Sequence, residues 1–258
     1  MGNKACCCQQ DGGEPVEVVT RSVLGADEKT ARQVYDDGAV YVGELNGKKR
    51  HGKGDQTWPD GAKYSGEWQG DMAHGTGKFE HSNGDVYEGQ MRCDRAHGQG
   101  TYVGADGRRF DGQWCEDKRH GCAEETWADG SRFDGQYIGG KRHGQGAFLW
   151  SDGSRYEGQF VANSIHGEGF YNWADGRTFR GQWLNSKMHG SGTFSWADGR
   201  RYVGEYKEDV KEGEGVFSWP DGRKYDGQWK SGKQHGRGTY WEANGEKREG
   251  EWRHGKLV

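Results

Sequence analysis

The sequence predicts an all-β protein: an elongated single-layer antiparallel meander of about nine to ten β-hairpin repeats, with a disordered N-terminal tail. Three observations carry this. His-Gly returns every 23 residues, beginning at His51, His74, His97, His120, His143, His166, His189 and His235, with Glu212-Gly213 at the one beat where histidine is missing. Between these beats lies an Asp-Gly or Asn-Gly pair, a strong hairpin signal. Apolar residues on either side of that pair alternate with a period of two, the signature of a strand. A period this strict marks an array of small identical units, and a repeating surface binds and spaces partners more often than it catalyses.

Composition narrows the class. Only 31% of residues are hydrophobic and 48 are glycine, which leaves too little Leu, Ile and Val for a thick core. Aromatics make up 13% and recur in register, so they replace the aliphatic core and exclude disorder over the repeats. A net charge of -4, from 36 basic and 40 acidic side chains, gives no pull toward nucleic acid. No apolar run is long enough to span a bilayer. No apolar h-region follows Met1, which argues against a secretory signal. Of the six cysteines, Cys6, Cys7 and Cys8 are consecutive while Cys93, Cys115 and Cys122 are scattered. That is no disulfide framework and points to a reducing, intracellular site.

Taken from the N-terminus, residues 1–30 read as an acylated, flexible membrane tether. Gly2 becomes terminal once Met1 is removed, as N-myristoylation requires, although Cys6 stands where Ser or Thr is usual. One myristoyl chain binds a bilayer weakly, and stable anchoring takes a second signal. S-palmitoylation of Cys6, Cys7 and Cys8 would supply it. Gln9 to Thr30 is polar and mixed and reads as a tether; the stretch from Asp27 to Val34, which crosses its end, reads equally as a short helix or a capping strand.

Residues 31–258 form the array. Phe79 and Tyr87 must share a face, so Asn83, their midpoint, is the centre of an odd-numbered loop. A three-residue loop, a type I turn followed by a left-handed glycine, meets that requirement. Pro59 and Pro220 fall at its first central position, where their fixed φ is wanted. Beyond the turn, Tyr64 and Trp68, Tyr156 and Phe160, and Tyr225 and Trp229 line one face. Glycines lie between them, so the rings are expected to rest flat on bare backbone. Trp58, Trp127, Trp150, Trp173, Trp196 and Trp219 precede the turns and should cap the rim of that face. The His-Gly pairs are assigned to the loops that link hairpins. At about 4.8 Å per strand, ten hairpins would extend about 90–100 Å.

The pattern Tyr156-Glu157-Gly158-Gln159-Phe160, His166-Gly167-Glu168-Gly169-Phe170, Asp175-Gly176 resembles the MORN repeat (membrane occupation and recognition nexus). The resemblance spans about residues 35–255. It implies an antiparallel β-array without catalytic activity, used in membrane-associated scaffolds, junctional and cytoskeletal components, and accessory domains of lipid kinases. Departures are local. Cys122-Ala123 removes a glycine, Gln56 and Glu125 interrupt an aromatic column, and Leu45, Met91 and Arg248 replace other rings. Glu125 has no explanation in the sequence.

No catalytic set, cofactor or metal site stands out. Successive histidines lie one repeat apart, about 10 Å, too far to share an ion. Gly47-Lys48-Lys49-Arg50-His51-Gly52-Lys53 nearly spells a phosphate-binding loop, but no helix follows. Basic residues precede several histidines. Lys49, Arg50, Lys118, Arg119, Lys141 and Arg142 are the candidate contacts for acidic lipid headgroups. A second basic set follows the turns at Lys63, Arg109, Arg132, Arg155, Arg201 and Lys224. The competing reading of both is a solvated rim balanced by nearby Asp and Glu.

The expected function is therefore a non-catalytic scaffold on the cytoplasmic face of a membrane. It would present its repeat surface to a protein partner, to acidic phospholipid, or to a second copy in a homodimer joined through unpaired terminal strands. The alternatives are a targeting module related to phosphatidylinositol-phosphate kinases and a flagellar or cytoskeletal component.

Overall fold

The computed structural model describes residues 15–20 and 30–258, in two compact units that divide between Ala128 and Asp129. Gly2, Cys6, Cys7 and Cys8 lie outside the described residues. The N-terminal unit runs β1 Pro15–Thr20, β2 Thr30–Tyr35, β3 Val40–Asn46, β4 Lys49–Thr57, β5 Lys63–Gln69, β6 Met72–Glu80, β7 Val86–Arg92, β8 Arg95–Val103, β9 Arg109–Cys115 and β10 Lys118–Thr126. The C-terminal unit begins with β11 Arg132–Ile138, β12 Lys141–Leu149, β13 Arg155–Val161, β14 Ser164–Asn172, β15 Thr178–Leu184 and β16 Lys187–Ser195. It continues with β17 Arg201–Lys207, β18 Val210–Ser218, β19 Lys224–Lys230, β20 Lys233–Trp241, β21 Lys247–Arg253 and β22 Lys256–Leu257. Among the described residues there is no helix.

Within each unit every strand pairs antiparallel with the next, so each is an open single-layer meander. β1 lies inside the stretch expected to be a tether and pairs with β2. The described part of the Asp27-to-Val34 segment is strand, not helix.

The wide turn is the one the parity of the sequence demands. Around Pro59-Asp60-Gly61, the Gly61 amide donates to the Trp58 carbonyl at 3.0 Å and the Trp58 amide to the Ala62 carbonyl at 2.9 Å. Gly61 has φ +93°. That is a type I turn closed by a left-handed glycine bulge. Asp60 Oδ1 accepts from the Ala62 amide at 3.0 Å, which adds a side-chain clamp within the same loop.

The opposite ends correct the expectation for His-Gly. The histidines are not in linking loops: His74-Gly75 lies inside β6, and the chain reverses earlier, through Gly70-Asp71, between the paired residues Gln69 and Met72. Most of these tight turns hold two left-handed residues, as in Cys93 (φ 50°) and Asp94 (φ 63°), which is type I′ geometry. Past the turn, Glu67 pairs with His74 but Gly66 pairs with Gly77, so β6 bulges against β5. Gly75, at φ 61°, makes that bulge possible.

The core is a ladder of rings on one face. Tyr41, Phe110, Phe133, Tyr156, Phe179, Tyr202 and Tyr225 are fully buried. All but Tyr41 meet an edge-on ring four residues along the strand, as Tyr156 and Phe160 do at 5.2 Å and 89°; Tyr64 and Trp68 make the same pair at 5.0 Å and 89°, and Tyr41 meets Trp68 edge-on instead at 5.5 Å. Such pairs add about 0.5–1.5 kcal/mol beyond area burial. The rings do rest on glycine. A Cβ on Gly77 would fall 2.3 Å from Tyr64 Oη, and one on Gly169 would fall 2.3 Å from Tyr156 Oη. Where the ring is tyrosine, its hydroxyl donates to a carbonyl three residues on, as from Tyr87 to Gln90 at 2.7 Å. The rim tryptophans continue the stack: Trp150 to Tyr171 at 5.1 Å, Trp173 to Phe194 at 5.3 Å and Trp196 to Phe217 at 5.4 Å.

Candidate functional site

Because rings take one face, most of the polar side chains of the strands fall on the other. In the N-terminal unit that second face is an open trough of about 1570 Å³, crossing from Thr30 to Arg109. Its floor is bare backbone at Gly43, Gly54, Gly66, Gly77 and Gly89, and its walls include Glu44, Lys53, Asp55, Ser65, Glu67, Lys78 and Glu88. Across the strands, register places Asp55 beside Ser65, Ser65 beside Lys78 and Lys78 beside Glu88. The corresponding row of the C-terminal unit runs Ala147, Glu157, Phe170, Arg180, Thr193, Val203 and Val216, so it mixes charge with apolar surface.

The Glu or Gln after the first glycine of each repeat has a fixed task. It fills the bulge opposite it: Glu67 Oε1 accepts from the Thr76 amide at 3.1 Å and from Thr76 Oγ1 at 2.7 Å. Gln90, Gln136, Gln159, Gln182 and Gln228 do the same for Gln99, Gln145, Glu168, Ser191 and Arg237. The Thr76 bonds hold the Glu67 carboxyl below its ordinary range. Sequence reasoning missed this column, although its spacing from the next His-Gly never varies.

The candidate headgroup residues separate into two groups. Lys49, Lys118 and Lys141 are exposed. Arg50, Arg119 and Arg142 turn onto the ring-covered face. Arg50 lies 4.2 Å over Trp68 and donates to Gln56 Oε1 at 3.2 Å, and its backbone amide donates to Asp71 Oδ1 at 2.8 Å. Arg119 lies 5.0 Å over Phe110, with Nη1 2.6 Å from Glu125 Oε1. Arg142 lies 5.0 Å over Phe148. Lys211 completes the series: its ammonium is within 5.3 Å of Trp196, Tyr202, Phe217 and Trp229, and burial lowers its pKa to about 8. Glu125, unexplained by sequence, is therefore the buried partner of Arg119. The basic set after the turns is largely neutralised: Arg109 pairs with Asp111 at 3.0 Å, Lys224 with Asp226 at 3.2 Å, and Arg155 with Glu157.

Among the described residues, no group of three or more His, Cys, Asp or Glu could hold a metal ion, and no helix is long and apolar enough to cross a membrane.

Among solved structures, the wild-type TCP10 domain of Danio rerio CPAP in complex with a peptide of Danio rerio STIL is similar at 15% identity. It covers 89% of this chain and 97% of its own, with a TM-score of 0.46. The SAS-4 (dCPAP) TCP domain of Drosophila melanogaster, in complex with a proline-rich motif of Ana2 (dSTIL), is similar at 12% identity. It covers 82% of this chain and 100% of its own, with a TM-score of 0.34. No curated protein sequence matches. The family model described as MORN repeat matches ten times, at 41–63, 64–86, 87–108, 110–132, 133–155, 156–176, 179–200, 202–222, 225–247 and 249–258. With the repeat running through every strand from β3 onward, the chain belongs to the MORN-repeat family.

Proposed function

We propose that this chain is a non-catalytic, membrane-associated scaffold whose polar trough receives an extended segment of a partner protein. The observation that carries this reading is the trough itself, open along its length and walled by Glu44, Lys53, Asp55, Glu67, Lys78 and Glu88. Charges of both signs along its walls set register more than raw affinity. Membrane attachment rests on Gly2 and on Cys6, Cys7 and Cys8 as a paired acylation signal at the cytoplasmic face. Acidic phospholipid contact falls to Lys49, Lys118 and Lys141, since the arginines beside them are engaged with rings.

Four forms expressed in cells test both parts: wild type, Gly2→Ala, Cys6/Cys7/Cys8→Ser, and the trough variant Lys78→Glu/Glu88→Lys. The head variants should leave the membrane fraction and keep their co-purifying protein. The trough variant should stay on the membrane and lose that protein. Head variants that remain membrane-bound sink the anchor, and a trough variant that keeps its partner sinks the trough.

A further inference from the structure

Lys211 is the one residue of its column that can change charge near neutral pH. The same place in other repeats holds Arg50, Arg119 or Arg142, which stay charged, or side chains that do not ionise: Ala73, Ala96, Ile165, Met188 and Gln234. Lys211 is half-buried on the ring-covered face. Its Nζ stands 4.5 Å over Phe217, 4.7 Å over Trp229, 5.2 Å over Tyr202 and 5.3 Å over Trp196.

Neither position that supplies an anion in other repeats does so here. Arg119 meets Glu125 six residues on, but six residues after Lys211 stands Phe217. Arg50 lies beside Asp71 of the following tight turn, with Nε 3.6 Å from Oδ1. The matching residue for Lys211 is Gly232, whose amide donates to the Lys211 carbonyl at 3.0 Å and which has no side chain to offer. Glu212 is turned to the Ser231 amide, 2.8 Å from its Oε2. Among the described residues, Lys211 Nζ makes no ion pair and no hydrogen bond. Lys224 differs: it lies 4.6 Å over Trp241 but has Asp226 at 3.2 Å. The cation nearest in character is of like charge, since Arg200 lies 5.3 Å over Trp196, the ring it shares with Lys211. An ammonium withdrawn from water without an anion favours its neutral form, and ring faces return only part of the lost hydration. Burial first, then Arg200, bring its pKa down to about 8.

We propose that Lys211 is a covalent modification site whose amine accepts an acyl group from a small thioester. The nitrogen lone pair attacks the thioester carbonyl carbon. A C–N bond forms, the C–S bond breaks, and the proton shed by nitrogen goes to the departing thiolate to give a thiol. Nothing is oxidised or reduced. The amide is neutral and leaves the methylene stem over the rings. Acylation here therefore removes a desolvated charge, whereas at Lys224 it would break an ion pair. The proposal goes beyond the scaffold reading and does not depend on it.

The test is acetylation of the full chain by the small thioester N,S-diacetylcysteamine, read residue by residue with peptide mass spectrometry from pH 6.5 to pH 10. The exposed Lys207 and Lys230 of the same unit are internal standards. At pH 7.5 Lys211 should react about tenfold faster than either, because its larger neutral fraction outweighs the lower nucleophilicity of a weaker base. Its rate should level off above about pH 8 while theirs still climb. Two variants supply the missing anion. Phe217→Glu copies the arrangement of Arg119 with Glu125. Gly232→Asp copies Asp71, which holds the same left-handed backbone, φ 73° against 78°. Each should slow Lys211 at least tenfold at pH 7.5 and leave Lys207 unchanged. A Lys211 rate no greater than those of Lys207 and Lys230 overturns the proposal. So does a rate unmoved by either variant with near-ultraviolet circular dichroism intact; Gly232→Asp touches only the tight turn, so the test stands even if Phe217→Glu fails to fold.

Discussion

At the scale of single residues, glycine and one buried ion pair carry the energetics. A methyl group on Gly77 would fall 2.3 Å from Tyr64 Oη and 2.5 Å from Cζ. Tyr64 is 1% exposed and cannot swing aside. Gly77→Ala should therefore destabilise by about 1–3 kcal/mol as overpacking, seen as a lower urea midpoint at unchanged m-value. Glu125, at 2% exposure, depends on Arg119. Arg119→Ala should cost about 3–5 kcal/mol because it leaves an uncompensated buried charge. Arg119→Met/Glu125→Phe copies the pair that Met188 and Phe194 make in another repeat. It should recover most of that loss, and a double-mutant cycle by urea denaturation measures the coupling. If the single variant were as stable as wild type, the pair would be decoration. The sequence held a clue to this pair: Gln56 and Glu125 break the aromatic column in repeats that begin with Arg50 and Arg119.

At the scale of the element, the wide turn was legible and the bulge was not. Parity alone placed Asn83 at the centre of a three-residue loop, and Phe79 does pair with Tyr87. The His-Gly segment misled because a left-handed glycine reads locally as a loop. The bulge adds two residues, which leaves the alternation intact. Counting by twos straight through His51-Gly52 would have placed Arg50 on the ring face with Gln56. Adjacent wide turns are also tied to each other. Asp85 accepts from Tyr102 Oη at 2.6 Å and from the Ala105 amide at 2.9 Å. The Tyr102 bond first, then the Ala105 amide and Asn83, lower the Asp85 carboxyl to about 2. A carboxyl depressed by folding contributes stability that is complete above its unfolded pKa, about 3.9, and is lost as pH falls through the folded value. Asp85→Asn should therefore flatten the pH dependence of the thermal midpoint between pH 4 and pH 2. An unchanged slope in that window would show that the link between turns carries no net stability.

At the scale of the molecule, nearest-neighbour pairing makes the repeat, and not the residue, the unit that can be removed. In the C-terminal unit β14 pairs with β15 through Gly169 and Gly181, and β16 pairs with β17 through Gly192 and Gly204, in the same register. Removing residues 168–190 joins Gly167 to Ser191, the residue equivalent to Glu168, and keeps every ring on its face. A chain shortened in this way should fold cooperatively, with a modest drop in urea midpoint from the loss of one repeat and its interface. Removing one residue more, 168–191, joins Gly167 to Gly192 and reverses the alternation downstream. Phe194 would then turn to the polar face and Thr193 to the ring face, because a one-residue slip exchanges the faces of a strand. That shortened chain should lose cooperative unfolding and near-ultraviolet circular dichroism over the C-terminal unit. Equal stability of the two deletions would mean that ring-over-glycine register does not hold the array together, and the account of the fold given by the rings would fall with it.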